Sequence, residues 1–130
     1  MKKFAFIMSL SLAAVSANGL AVSSVNTAVD VPCTGETDCQ AKWERAEQWV
    51  RRNSQWPVKT FSDTVIETEK QRFRRYSSPY YRIIKEPRGE QTVIRFEASC
   101  MPSVQCSPDI GSVQKAFTGF VAGSGGGATE

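Results

Sequence analysis

One stretch of the chain, residues 71–82, combines side chains that bind anions with side chains that bind flat ligands. Four arginines and four aromatic residues interleave there. A guanidinium group matches phosphate and carboxylate oxygens, and an aromatic ring stacks on a sugar or a base. The sequence therefore predicts an anion-binding site, for which the candidate residues are Arg72, Arg74, Arg75, Tyr76, Tyr80, Tyr81 and Arg82.

Three interpretations of this stretch stay open. The arginines could solvate a loop or a strand edge while Phe73 and some of the tyrosines pack inward. They could instead bind an anionic component of the cell envelope, such as lipid phosphates or cell-wall carboxylates, or an acidic envelope protein. Nucleic acid is the third candidate partner, because arginines and stacked rings also bind its backbone and bases.

The N-terminus has the three-part layout of a bacterial secretory signal peptide. Lys2 and Lys3 precede an apolar run over 4–15, and Val15-Ser16-Ala17 offers small residues for cleavage. The run is shorter than the roughly 20 residues that a membrane-spanning helix needs. We predict cleavage after Ala17, a mature chain without a transmembrane anchor, and a periplasmic or secreted location. An exported protein meets little nucleic acid, which makes nucleic acid the least favoured partner.

The four cysteines all lie beyond this apolar run, at positions 33, 39, 100 and 106. An even number of cysteines in a short exported chain indicates two disulfides. Pairing of neighbours, Cys33 with Cys39 and Cys100 with Cys106, is favoured because the short segments between them contain Gly or Pro; a crossed pairing stays open. Zinc ligands prefer roughly two to four intervening residues, fewer than either segment provides, so we expect no metal site.

Groups that could perform catalysis are scarce. The sequence has no histidine, which excludes serine or cysteine catalysis that depends on an imidazole base. Glu67 and Glu69 lie on one face of a predicted strand and could act as an acid and a base, as in glycoside hydrolysis. Carboxylates at this spacing more often form a solvated strand edge. We therefore expect no enzyme and no cofactor.

Charge is distributed unevenly along the predicted mature chain. Removal of Lys2 and Lys3 with the signal peptide reduces the formal net charge from +3 to +1. Between Lys42 and Arg95 there are 13 basic and 7 acidic residues, so the middle of the chain is basic and both flanks are acidic. This distribution favours an anionic partner for the middle segment.

A helix is predicted to carry the first apolar stripe of the domain. Thr37-Asp38-Cys39-Gln40 matches a capping box and would begin this helix, which would end at Asn53 before Pro57. Trp43 and Trp49 are predicted to be core anchors. Apolar residues recur at helical spacing at Cys39, Trp43, Ala46 and Val50.

Strands are predicted to follow this helix. Residues 58–69 form either one bent strand or a tight hairpin, and residues 80–85 and 92–100 form a second hairpin. The connection Glu86-Pro87-Arg88-Gly89 has Pro and Gly at favoured β-turn positions. In the second arm, Ile94 and Phe96 face one way while Arg95 and Glu97 face the other, which predicts an antiparallel sheet covered on one side.

A second, short helix is predicted to end the domain. Ser107-Pro108-Asp109 supplies a capping hydroxyl, a proline at the first helical position and an acid. The predicted fold is α+β: a small single domain, with an antiparallel sheet and both helices packed on one face, and two disulfides. Its bounds are 33–121, between a signal peptide (1–17) with a flexible N-terminal segment (18–32) and a disordered Gly-rich tail (122–130). The apolar stripe of the second helix is Ile110, Val113, Phe117 and Phe120.

These features predict an exported, non-catalytic binding or accessory protein of a bacterial cell envelope, with residues 71–82 as the contact surface. Two alternatives remain. One is a small hydrolase that uses Glu67 or Glu69. The other is an inhibitor or immunity-type protein, which would present the segment between Cys100 and Cys106 or the helix surface around Trp49.

Overall fold

The structure, a computed structural model, describes residues 28–123 of the 130-residue chain. Its five strands form one antiparallel sheet in the order β1-β5-β4-β3-β2. The predicted small α+β domain with two helices and two disulfides is confirmed. The elements are β1 (Ala28–Cys33), α1 (Gly35–Asn53), β2 (Val58–Phe61), β3 (Val65–Thr68), β4 (Tyr80–Arg88), β5 (Gln91–Ser99) and α2 (Ile110–Ala122).

The two ends of the chain were predicted to lack fixed structure. The signal peptide (1–17), the part of the flexible segment before Ala28 and most of the Gly-rich tail lie outside the described residues. Within the described part, Ala122 ends α2 and Gly123 caps it in a left-handed conformation with φ of +78°. Neither helix of residues 28–123 is long and apolar enough to cross a membrane.

Residues 28–32 form an edge strand, so the predicted flexible segment 18–32 is wrong over these positions. The strand β1 pairs with β5 from Ala28↔Glu97 to Cys33↔Thr92. Val31 and Cys33 are buried while Pro32 between them is exposed, and this alternation is typical of a half-buried strand. Proline is tolerated there because β1 is at the edge of the sheet.

The core lies between one face of the sheet and the two helices. Trp49 of α1 makes edge-to-face contacts with Tyr81 of β4, Phe96 of β5 and Phe117 of α2, at centroid distances of 5.2, 5.4 and 5.4 Å. Phe96 and Phe117 stack at 4.1 Å. Trp43 and Trp49 are 3% and 4% exposed, which confirms that both are core anchors.

Both helices begin at residues other than the predicted ones. The N-cap of α1 is Thr34, whose backbone N–H donates to Asp38 Oδ2 at 2.8 Å, so the predicted start at Thr37 is wrong. This hydrogen bond lowers the pKa of Asp38, and a hydrogen bond from Lys42 lowers it further. The N-cap of α2 is Asp109 rather than Ser107, because the Asp109 carboxylate accepts from the backbone N–H of Ser112.

Both predicted hairpins are present, and the structure shows the residues at which each one turns. Residues 58–69 form a hairpin, β2–β3, and not one bent strand. The β4–β5 turn is tighter than predicted: Arg88 pairs with Gln91, and Pro87 is inside the strand opposite Thr92. Gly89, at φ of +63°, is the first central residue of this two-residue turn, as a type II′ turn requires.

The disulfides join neighbours in sequence, as predicted. Cys33–Cys39 ties the end of β1 to the first turns of α1, and Cys100–Cys106 closes the segment between β5 and α2. No cysteine of the described chain is free.

We expect protein purified under non-reducing conditions to lack four hydrogens by mass spectrometry and to react with no thiol reagent. Reduction should lower the thermal midpoint by several degrees, because each bridge over a short loop contributes about 2 kcal/mol. Cysteines that alkylate quantitatively without reductant would contradict this pairing.

We expect Trp49→Ala to lower the free energy of unfolding by about 3–5 kcal/mol, because it opens a large cavity between α1, β4, β5 and α2. The measurement is urea unfolding followed by circular dichroism, which does not depend on the deleted fluorophore. The neighbouring exposed Gln48, changed to Ala, is the control and should shift the value by less than about 0.5 kcal/mol. Equal effects of the two changes would show that Trp49 does not anchor the core.

Candidate binding surface

The loop between β3 and β4 (69–79, the β3–β4 loop) carries most of the candidate binding residues. Five consecutive residues in it, 72–76, are exposed. Phe73 is 55% and Tyr76 39% exposed, and these are two of the three exposed large hydrophobic side chains in residues 28–123. The loop therefore presents both arginines and rings to the solvent, as the sequence predicted for an interaction surface.

The remaining three candidates, Tyr80, Tyr81 and Arg82, are neighbours on strand β4, and they point to different faces of the sheet. Tyr81 is 2% exposed and packs on Trp49 and Phe96, so its assignment as a binding residue is wrong. Burial raises the pKa of Tyr81 to about 12. Tyr80 and Arg82 point to the opposite face of the sheet, because neighbouring residues of a strand alternate in direction.

A single buried side chain, that of Gln71, holds the β3–β4 loop in place. Gln71 is 6% exposed, and its Nε2 donates to the backbone oxygens of Tyr76 at 2.6 Å and Ser78 at 2.8 Å. Its Oε1 accepts from the backbone N–H of Met101 at 2.7 Å. Gln71 thus joins two points of the loop to the disulfide-closed segment, and it satisfies its own buried amide.

The disulfide-closed segment lies directly beside the β3–β4 loop. Besides the Met101 contact, the backbone N–H of Ser107 donates to the Ser77 oxygen at 2.9 Å. From the sequence these two segments were rival binding sites. In the structure the segment closed by Cys100–Cys106 supports the loop that carries the arginines.

An arginine–aromatic cluster forms at the surface of the loop from Trp56, Arg72, Phe73, Arg75 and Tyr76. The Arg75 Cζ lies 5.0 Å from the Phe73 ring centroid and 4.9 Å from that of Tyr76, and its Nη2 is 3.0 Å from the Tyr76 hydroxyl. Trp56 meets Tyr76 edge-to-face at 5.5 Å. The rings and the guanidinium group of Arg75 therefore hold each other in place while staying exposed.

Trp56 is the functional residue that sequence reasoning missed. Its indole Nε1 donates to the Ser78 oxygen at 2.9 Å, which brings the end of the α1–β2 connection against the β3–β4 loop. The available signal was a tryptophan, followed by Pro57, that belongs to no apolar stripe. Its partner on the loop could not be inferred without the tertiary structure.

A shallow cleft of about 270 Å³ runs along this cluster. This volume is below the range of roughly 300–1,000 Å³ that encloses a drug-sized ligand. The geometry suits contact with an extended surface better than enclosure of a small molecule. The cleft is lined by Trp56, Pro57, Glu69, Lys70, Arg72, Phe73 and Tyr76.

The arginines of the β3–β4 loop lack carboxylate partners. Within residues 28–123, Arg72, Arg74 and Arg75 form no ion pair. The sheet face that no helix covers is different from the loop, because its charged side chains alternate in sign and form ion pairs with each other. Its ion pairs are Lys59–Glu67, Arg82–Glu67, Arg88–Asp30, Arg88–Glu86 and Arg95–Glu97.

The two glutamates of the hydrolase alternative line different clefts. Glu67 lies on the uncovered sheet face, 3.6 Å from Lys59 Nζ and 3.7 Å from Arg82 Nε, and borders a cleft with Tyr80. Glu69 follows the end of β3 and borders the cleft of the arginine–aromatic cluster. Among residues 28–123, no three side chains of the metal-ligating types come together.

Comparison with known proteins adds no relative. No protein-family model matches this sequence, and no curated protein matches it significantly.

Proposed function

We propose that this chain is an exported, non-catalytic binding or accessory protein of a bacterial cell envelope, which holds an anionic partner with its β3–β4 loop. One observation carries the proposal: arginines without a carboxylate partner stand beside exposed rings on a loop that is anchored from within. Guanidinium groups in this state are available for charge-assisted hydrogen bonds to phosphate or carboxylate oxygens.

The anchoring of the loop supports binding as well as folding. Binding by a mobile loop loses affinity to the ordering of its side chains, and fixing the bound conformation beforehand reduces this cost. Gln71 and Trp56 tie the loop backbone at Tyr76 and Ser78, and Arg75 is held between two rings. The remaining arginines, Arg72 and Arg74, are exposed and can reorient towards a partner.

Support for the location comes from the two disulfides, which persist in oxidising compartments such as the periplasm or the extracellular space. The signal peptide and its cleavage after Ala17 stay predictions. They concern residues outside the described range.

The alternatives have less support. A hydrolase in which Glu67 and Glu69 act as an acid–base pair would need both at one substrate, and they border separate clefts. The disulfide-closed segment exposes Pro102, Ser103 and Gln105, and none of them carries a charge or an aromatic ring that would anchor a partner. Trp49 itself is buried in the core, so the helix surface around it would present the neighbouring Arg52, Asn53 and Lys115 instead.

We expect Arg72→Ser combined with Arg74→Ser to weaken binding to the envelope about ten- to a hundredfold, because two charge-assisted hydrogen bonds are lost. The envelope is separated into membranes, cell-wall sacculi and soluble proteins, and retention of the protein by each is measured at several salt concentrations. Wild-type retention should fall with salt, since exposed charges are screened over about 8–10 Å.

The matched control for this experiment is Arg88→Ser combined with Lys115→Ser, which removes the same charge from exposed sites outside the loop. This control should bind within about twofold of wild type, and both variants should keep their stability, because exposed charges contribute under about 1 kcal/mol each. Equal retention of the loop variant and wild type by every fraction would contradict the proposal.

We expect the two disulfides to differ in their effect on binding. Replacement of Cys100 and Cys106 by Ser should lower affinity about three- to tenfold, because the support of the β3–β4 loop loosens. Replacement of Cys33 and Cys39 removes a bridge of the same sequence separation, 6 residues, at a site outside the loop and should leave affinity unchanged.

This comparison is made below the thermal transition of both double variants, with circular dichroism to verify that each is folded. Equal losses of affinity would show that the Cys100–Cys106 bridge has no particular role in supporting the surface.

A further inference from the structure

We infer that the anionic partner is the surface of an acidic phospholipid bilayer. In this arrangement the β3–β4 loop places the rings of Phe73 and Tyr76 at the headgroup level, with Arg72 and Arg74 among the lipid phosphates. The inference rests on the proposed function and names the partner of that same loop.

The composition of the exposed loop fits the membrane interface. Phe73 and Tyr76 keep about half and more than a third of their surface exposed, although each ring is held by Arg75. Rings at the headgroup level, with cations beside the phosphates, are the arrangement by which proteins bind to a bilayer surface. A partner that was only a small anion would give the exposed Phe73 ring no apolar environment.

The shape of the surface also favours an extended partner. The five consecutive residues 72–76 are all exposed, and the adjoining cleft is small, at about 270 Å³. A bilayer surface is wide enough to contact several of these side chains at once. A soluble phosphate compound would contact only some of them.

Charge is arranged to orient the protein on a negative surface. Residues 69–76 contain four basic side chains and one acidic, whereas residues 28–123 as a whole contain fourteen basic and twelve acidic. The part outside the loop is therefore slightly acidic. Glu36, Asp63 and Glu90 line one cleft with Lys85 and Pro87, towards the end of β4 remote from the loop.

The distance between the β3–β4 loop and the cleft with Glu36 and Glu90 determines which charges a membrane at the loop would affect. The strand β4 has 9 residues, from Tyr80 beside the loop to Arg88 at the far turn. At about 3.3 Å per residue it spans roughly 30 Å, which is several times the Debye length of about 8 Å in physiological salt. With the loop on the surface, the basic cluster is attracted and the remote carboxylates are screened from repulsion.

The test is sedimentation of the full protein with vesicles of phosphatidylcholine, with and without phosphatidylglycerol. We expect binding to the mixed vesicles only. Arg72→Ser with Arg74→Ser should lower the partition coefficient about 25-fold, since each basic side chain near such a surface contributes about fivefold. Phe73→Ser keeps every charge and should lower it about tenfold, through lost apolar insertion.

Phe61 provides a matched control for the aromatic ring. It is 50% exposed and also has a guanidinium group nearby, with Arg51 Cζ at 5.7 Å, but it lies at the end of the β2–β3 hairpin away from the loop. Phe61→Ser and the pair Arg88→Ser with Lys115→Ser should each bind within about twofold of wild type. At constant ionic strength, glycerol 3-phosphate, a soluble headgroup fragment, should not displace the protein.

Equal binding to both kinds of vesicle, wild-type binding by Phe73→Ser, or displacement by glycerol 3-phosphate would overturn the inference. If the protein does not bind the vesicles, but sacculi or soluble envelope proteins retain it through Arg72 and Arg74, the lipid inference is wrong and the proposed function stands. If the arginine variant behaves as wild type towards every fraction, both are wrong.

Discussion

The packing of Trp49 against three other rings is the interaction on which the fold depends. Its partners come from β4, β5 and α2, so one side chain of α1 sets the positions of four elements. Tyr81 is one of these partners, and its burial determines which residues of β4 face the helices. Tyr80 must then face the other way, and the loop that precedes it leaves the sheet at this end. The core therefore determines where the arginines emerge.

The buried amide of Gln71 makes three of the hydrogen bonds that fix the loop beneath the arginine–aromatic cluster. Its hydrogen bonds to Tyr76, Ser78 and Met101 hold the β3–β4 loop against a segment that Cys100–Cys106 closes. A buried amide with unpaired atoms would be costly, so this loop conformation is strongly favoured over others. The exposed rings stay exposed because the backbone beneath them is fixed.

Sequence patterns predicted the helices and strands where a buried face repeats regularly. Trp43, Ala46 and Val50 identify α1, and the alternation through Ile94 and Phe96 identifies β5, because burial on one side imposes that period. The edge strand β1 was missed because it contains Asp30 and Pro32, residues that are uncommon in strands, and follows a segment of small polar residues. The helix starts were misplaced because several nearby hydroxyl and carboxyl groups could serve as the cap, and sequence alone does not show which local hydrogen bonds form at Thr34 and Asp109.

Only the part of the candidate site that is contiguous in sequence could be predicted. Local composition identified the arginines and rings of 71–82, because they are adjacent in sequence. It could not separate Tyr81 from Tyr80, since that distinction depends on strand register. Trp56 and the disulfide-closed segment reach the loop only through folding, at sequence separations of 22 and 30 residues. Long-range partners of this kind leave no local pattern to read.

The most direct measurement of the central claim is backbone hydrogen exchange of the wild-type protein, alone and bound to the envelope fraction that retains it. Binding through the β3–β4 loop should slow exchange in that loop, with little change at the far turn around Gly89 and along the cleft that Glu36 and Glu90 line. Protection at that far end, with the loop exchanging as in the free protein, would contradict it.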